Sequence, residues 1–228
     1  MKEIKYGICS FEDHEEACRK YFSIDCPALI SIDKPYHHNA DKVQRMGKLY
    51  VAIKKRPAGH KHRIAARTEA YRLKELYNLG VHVPEIYYMI ENQEEETIVM
   101  QYLQGLPLTL HVLNQTVSEN MLKDLGHTVG TMHANGWIHG DLAAHHVLVN
   151  SGVYLIDLEK TKKPTLPRYA FQKEIYRFIR GKQGRRFPAP LQYEHAEIFI
   201  DSLINTVNER VYKMDLEDIL LNFKKESF

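Results

Sequence analysis

One lysine and three carboxylates in this 228-residue chain have the types and spacing to share a chemical task. Lys54 closes the run Val51-Ala52-Ile53-Lys54, and Glu69 lies further along in a helical pattern. Asp141 stands in His139-Gly140-Asp141 and Asp157 in Leu155-Ile156-Asp157. Moving a phosphoryl group asks a protein for a cation on the nucleotide phosphates, ligands for a divalent ion and a group that orients the attacking hydroxyl. Lys54 with Glu69 to hold it, then Asp141 and Asp157, offer these in order. The plainer alternatives are a surface ion pair worth under about 1 kcal/mol for Lys54 and Glu69, and turn or capping aspartates for the other two.

The elements that must position these residues follow from the pattern. Lys48 to Lys55, after a Met46-Gly47 turn, is β-branched and aromatic and predicts a strand ending on Lys54. Ile64, Ala65, Leu73, Leu76 and Leu79 recur at helical spacing, so a helix over 63–79 carries Glu69, and Gly80 stands where a left-handed cap is wanted. Glu85–Ile90 and Thr97–Leu103 predict a strand pair around the polar turn 91–96, after which Gly105 and Pro107 break the chain. Thr116 with Glu119 is a capping-box signature opening a helix closed by Asn135-Gly136, whose apolar stripe runs from Val117 to Met132. Val147–Val149 and Val153–Ile156 form a small hairpin across Ser151-Gly152, with Asp141 before it and Asp157 at its end. The two aspartates are sixteen positions apart, which can bring both carboxylates to one floor. Helices are expected over 169–180, 193–211 and 216–225, with the Gly/Pro-containing segment 181–190 between the first two.

Strands with one helix first, then mostly helices, predict an α+β fold with a small β-rich N-terminal lobe over residues 1–100. A connection over 101–107 leads to a helical C-terminal lobe over 108–228, with the ligand cleft expected between the lobes. The composition, 44% hydrophobic and 26% charged, is that of a globular chain. No secretory leader or membrane-length apolar run is visible, so the expected location is cytoplasmic. Cys9, Cys18 and Cys26 match no disulfide or zinc spacing and read as free thiols. Ten Lys or Arg against the single acid Glu174 lie between Lys160 and Arg186. That run is either a solvated face or a surface for an anionic partner, membrane or RNA. A second basic run over 54–67 includes His60 and His62, which read as surface residues.

The ordered set VAIK, a helical Glu, IVMQYLQG, HANGWIHGDLAAHHVLV and VYLIDLEK resembles the protein-kinase superfamily over residues 48–180. The resemblance implies an ATP-dependent kinase with Lys54 on the α and β phosphates, Glu69 pairing with Lys54, and Asp141 accepting from or orienting the acceptor hydroxyl. It assigns Asp157 to magnesium. Met100, Gln101 and Leu103 belong to the hinge that meets adenine through backbone groups, Met100 bordering the back of the pocket. His146 stands where the superfamily has an asparagine on a second metal; an imidazole there suits manganese or another transition ion better than magnesium. Alternatively it only hydrogen-bonds Asp157.

His146 and Asp-Leu-Glu in place of Asp-Phe-Gly are similar to the bacterial lipopolysaccharide core and Kdo kinases, and the compact helical part with HGDL to the RIO and Bud kinases. Aminoglycoside phosphotransferases share HGD but carry the asparagine missing here. Gly140 replaces the usual arginine, the segment after Asp157 is short and lacks Ala-Pro-Glu, and no glycine-rich phosphate loop precedes Lys48. Lys34, His37 and His38 are candidates to cover the phosphates, or form a solvated loop. The expected activity is transfer of the γ-phosphoryl of ATP, with Mg2+ or Mn2+, to a hydroxyl of a lipopolysaccharide-core-type sugar or glycolipid, at the inner membrane face. A compact Ser/Thr protein kinase and an ATP-binding pseudokinase are the alternatives.

Overall fold

The computed structural model describes residues 30–31, 42–46, 49–57, 66–91, 95–181, 190–207 and 210–227. Expectations for Cys9, Cys18, Cys26, Lys34, His37, His38, His60 and His62 lie outside these residues. The chain divides into two units: one holds the described residues up to Tyr77 together with Pro84–Gln104, and the other holds Asn78–Val83 and the chain from Gly105 on.

In the first unit the described strands are β1 (Ile30–Ser31), β2 (Lys42–Met46), β3 (Leu49–Pro57), β4 (Ile86–Glu91) and β5 (Glu95–Gln101). They form an antiparallel sheet in the order β1-β2-β3-β5-β4. Side chains of one strand alternate between the faces of a sheet, and paired residues share a face. The register Ala52↔Met100 and Lys54↔Ile98 therefore puts Lys54 in a row with Ala52, Ile98 and Met100, all buried. Helix α1 (Ala66–Asn78) buries Glu69, Ala70, Leu73 and Leu76 on one stripe. Its last turn is followed by Gly80 at φ +79°, a conformation that costs glycine nothing.

The second unit contains β6 (Leu106–Pro107), β7 (Val147–Val149) and β8 (Val153–Leu155) in that sheet order. Its helices are α2 (Leu108–Leu113), α3 (Glu119–Ala134), α4 (Pro167–Ile179), α5 (Tyr193–Thr206) and α6 (Arg210–Ser227). Helix α6, expected over 216–225, begins at Arg210, and further features differ from the sequence expectation. Pro107 does not simply break the chain; it precedes α2, where the N–H that proline lacks would have had no helical partner. Helix α3 is capped by Ser118, whose hydroxyl accepts from the Met121 N–H at 3.3 Å, whereas Thr116 is drawn to His111 at 3.0 Å. The helix expected over 193–211 ends at Thr206, and Val207 is extended and buried. The apolar positions carry on through the break, which hid it.

The core of this unit is the crossing of α3 and α5. Gly126 makes it possible: a Cβ there would lie 2.5 Å from Phe199 O and 2.6 Å from Ser202 Cβ. The approach is fixed by Ser202 Oγ donating to Lys123 O at 2.6 Å. The hairpin β7–β8 is tied to the same helix by the Val153 N–H, which donates to Asp124 Oδ2 at 2.6 Å, and to the preceding segment by Leu155 N donating to His82 O at 2.9 Å. Gly126→Ala should therefore force α3 and α5 apart and cost about 2 to 4 kcal/mol of stability. Urea denaturation of the variant would read it as a lower midpoint at unchanged m-value.

Candidate functional site

Lys54 and Glu69 form a buried ion pair in the first unit, Nζ to Oε1 at 2.6 Å, with both side chains about 3% exposed. Strand alternation turns Lys54 inward, and Glu69, in the first turn of α1, is further favoured by the helix dipole. Removing two charges from water costs several kcal/mol each and rarely gains net stability. A pair this dry fixes the ammonium in place, which the surface-ion-pair alternative would not. Met100 and Leu103 are buried in the same unit and Gln101 is partly so. The Gln101 N–H donates to Glu85 O at 2.8 Å and its side-chain Oε1 accepts from Glu85 N.

In the second unit the loop from Ile138 to His146 is organised around Glu174, a residue that sequence reasoning noticed only as the lone acid in a basic run. Glu174 projects from α4 and is 8% exposed. Its Oε1 accepts from the Gly140 N–H at 2.6 Å; its Oε2 accepts from the His139 N–H at 3.1 Å and lies 3.0 Å from His133 Nε2. Burial alone would push this carboxyl up, but the His133 ring and the Gly140 N–H outweigh it and hold it below the usual carboxylate range. The signal that could have found it is that an acid at a buried helical position, among Phe171, Ile175 and Phe178, needs donors.

His139 is buried, and its Nε2 donates to Ile156 O at 2.9 Å while Nδ1 accepts from the Asp141 N–H at 3.4 Å. Both contacts fit the neutral ring. Burial pushes its pKa down to about 4, against the opposing pull of Glu174. Ile138 and Lys162 exchange backbone bonds of 2.9 and 3.1 Å, and the Thr161 hydroxyl donates to His139 O. This pairing explains Gly140: its φ is +79°, and a Cβ would meet the Lys160 carbonyl at 2.4 Å. An arginine has no room.

Asp141, His146 and Asp157 are brought together. His146 Nδ1 donates to Asp141 O at 2.8 Å, so the other ring nitrogen, Nε2, faces Asp157 Oδ2 at 3.3 Å. A backbone carbonyl on one nitrogen is the usual way a protein fixes which imidazole nitrogen is left for a cation. Asp157 is left-handed, φ 63° and ψ 59°, an uncommon conformation for a residue with a side chain and a frequent one at functional sites. Asp141 is buried, and Lys160 Nζ lies 2.7 Å from its Oδ2. Among the described residues no three His, Cys, Asp or Glu gather into a metal-sized cluster. His146 with Asp157 instead fits an ion that arrives on a nucleotide, since magnesium takes only one or two protein carboxylates beside substrate phosphates and water.

The basic run is largely engaged within the chain. Besides Lys160, Arg168 forms a bidentate pair with Asp215. Lys163 lies over Trp137, Lys173 over Tyr169 and Arg180 over Tyr176. Residues 182–189 of that run are outside the described residues.

Glu174→Gln should aim an amide NH2 at N–H donors and cost about 3 kcal/mol in urea unfolding. A loss under about 1 kcal/mol would contradict the packing described. The neutral His139 ring sets a pH dependence with a definite sign. Its folded pKa lies below the unfolded value, so the stabilisation is full above pH 6.5 and is lost as pH falls from 6.5 toward 4. The slope is about 1.4 kcal/mol per pH unit, or roughly 2 kcal/mol between pH 6.5 and 5. His139→Asn should flatten this part of the stability profile; parallel profiles would refute the assignment.

Comparison with known proteins gives a family and several relatives. The family model described as lipopolysaccharide kinase (Kdo/WaaP) matches residues 31–192, more than half of the chain. A probable bifunctional tRNA threonylcarbamoyladenosine biosynthesis protein of Methanosarcina mazei is 35% identical over 92 residues, 40% of this chain and 15% of that protein. The KEOPS complex subunit Bud32 of Pyrococcus abyssi is 32% identical over 93 residues, 39% of this chain and 41% of the subunit. The chain thus spans well under half the length of either. The α+β architecture is that of a protein-kinase-like fold, and this chain belongs to the lipopolysaccharide kinase (Kdo/WaaP) family.

Proposed function

We propose that this kinase-like phosphotransferase moves the γ-phosphoryl group of ATP to a hydroxyl of a lipopolysaccharide-core-type sugar or glycolipid. The observation that carries the reading is the His146 ring, joined to Asp141 through Nδ1 and facing Asp157 through Nε2. That one ring ties the backbone of the residue suited to the acceptor to the carboxylate suited to a metal. Lys54, oriented by Glu69, is the group for the α and β phosphates. Met100, Gln101 and Leu103 are the residues for adenine. Asp157, with His146 beside it, is the ligand for Mg2+ or Mn2+.

Bound ATP with its divalent ion supplies the phosphoryl group: an acceptor oxygen–phosphorus bond forms while the bond to the β–γ bridging oxygen breaks, and the electron pair leaves with ADP. Asp141 takes the acceptor proton. The backbone that carries it is fixed before any acceptor arrives, because the loop is held by Glu174, Ile156 and Lys162. Such preorganisation is the larger part of what a protein contributes to this reaction.

The family match over 31–192 favours the sugar or glycolipid acceptor. The likeness to Bud32 and to tRNA threonylcarbamoyladenosine biosynthesis proteins, although confined to 92 or 93 residues, supports a second reading as a compact Ser/Thr protein kinase. Labelled ATP offered with lipopolysaccharide core oligosaccharide and, separately, with a generic protein substrate separates the two. The expected result is label in the oligosaccharide, cut at least about 10³-fold by Asp141→Ala and by Asp157→Ala. Label in protein alone would move the acceptor to the second reading. Equal turnover in wild type and both variants would remove Asp141 and Asp157 from catalysis, and no transfer to either acceptor by any of them would leave an ATP-binding scaffold.

A further inference from the structure

The loop His139-Gly140-Asp141-Leu142-Ala143-Ala144-His145-His146 contains no Lys or Arg, yet Asp141 has an ammonium against it. Lys160 provides this from the far side of Asp157, its Nζ 2.7 Å from Asp141 Oδ2. The backbone fixes the encounter. Ile138 and Lys162 are bonded in both directions, Thr161 donates to His139 O, and the Lys160 carbonyl runs against Gly140 so closely that no side chain fits between them.

The Lys160 side chain is 54% exposed, and ion pairs with one solvated partner add little to folding. The backbone bonds already hold residues 160–162 in place, so the ammonium is not needed for that. What the contact does is direct Asp141: with Oδ2 turned to Lys160, the plane of the carboxylate is set, and the acceptor hydroxyl meets one orientation rather than several.

We propose that Lys160 is a positioning residue for phosphoryl transfer, fixing the Asp141 carboxylate toward the acceptor hydroxyl across the 138–162 backbone pairing. The inference rests on the phosphotransferase reading. It also takes Lys160 out of any anionic-partner surface over 160–186. As the acceptor oxygen bonds to phosphorus its proton passes to Asp141, and the ammonium beside that carboxylate holds the accepting oxygens where the proton is released.

The test compares wild type, Lys160→Met and Lys160→Arg. ATP hydrolysis with water as acceptor gives kcat and KM, calorimetry with Mg2+ and AMP-PNP gives nucleotide affinity, and crystal structures give the Asp141 rotamer. Lys160→Met should lower kcat about 100-fold, Lys160→Arg should recover most of it, and KM and AMP-PNP affinity should stay within about two-fold, because the lysine acts through an acid–base group and not on the nucleotide. Asp141 should occupy one rotamer in wild type and depart from it in Lys160→Met. Added to Asp141→Asn, the lysine substitution should lower kcat no further, since the two act as a unit. An unchanged Asp141 rotamer, a kcat within about three-fold of wild type, or an additive loss in the double variant would overturn the proposal. A wild type that hydrolyses no ATP and labels no acceptor would instead count against the phosphotransferase reading, and the Asp141 rotamer would still decide the role of Lys160.

Discussion

A buried carboxylate facing three N–H groups is the constraint on which the second unit turns. Without those donors Glu174 would be a charge removed from water at a cost of several kcal/mol. Without Glu174 the backbone N–H of buried His139, which lies in neither helix nor strand, would lose its acceptor, and the Gly140 N–H its 2.6 Å one. Each side solves the other's problem. His133 brings α3 into the same knot, so that one acid on α4 joins a helix, a loop and, through the His139 ring, the carbonyl of Ile156 immediately before Asp157.

From that knot the chemistry of the loop follows by short steps. A ring held neutral by burial can donate from one nitrogen and accept at the other, which is how His139 serves both Ile156 and Asp141. His146 likewise donates from Nδ1, to the Asp141 carbonyl, and turns its Nε2 toward Asp157 Oδ2. The left-handed backbone of Asp157 is tolerated because the residues on either side are pinned, Ile156 by His146 and Leu158 by burial. In the first unit a different tactic achieves fixity. Lys54 and Glu69 are dry, so removing either takes from a buried charge its partner at 2.6 Å.

How much of this the sequence disclosed depended on whether the signal was local. Strand β3 was legible because β-branching is a local signal, as was α1 with Gly80 after it; Lys54 was expected at the strand's end, whereas the strand runs on to Pro57 and its register puts Lys54 among buried residues. The hairpin carrying Asp157 came within a residue of its observed bounds. Ser118 was missed as a cap because only Thr116 has a glutamate three positions on, and the contact of Thr116 with His111 leaves the capping to Ser118. Pro107 was taken as a breaker when its lack of an N–H suits the start of a helix equally well. Glu174 and Lys160 were invisible for a deeper reason. Their partners lie 34 and 19 positions away, and only the fold converts a lone acid and one lysine of a basic run into a brace and a guide for Asp141.

The central claim is that Asp157 binds a divalent ion together with a nucleotide. Electron paramagnetic resonance of the protein with Mn2+ and AMP-PNP addresses it most directly. The account predicts a protein-bound manganese spectrum that requires the nucleotide and disappears in Asp157→Ala. A bound spectrum that persists unchanged in that variant, or the absence of any nucleotide-dependent signal in wild type, would contradict it.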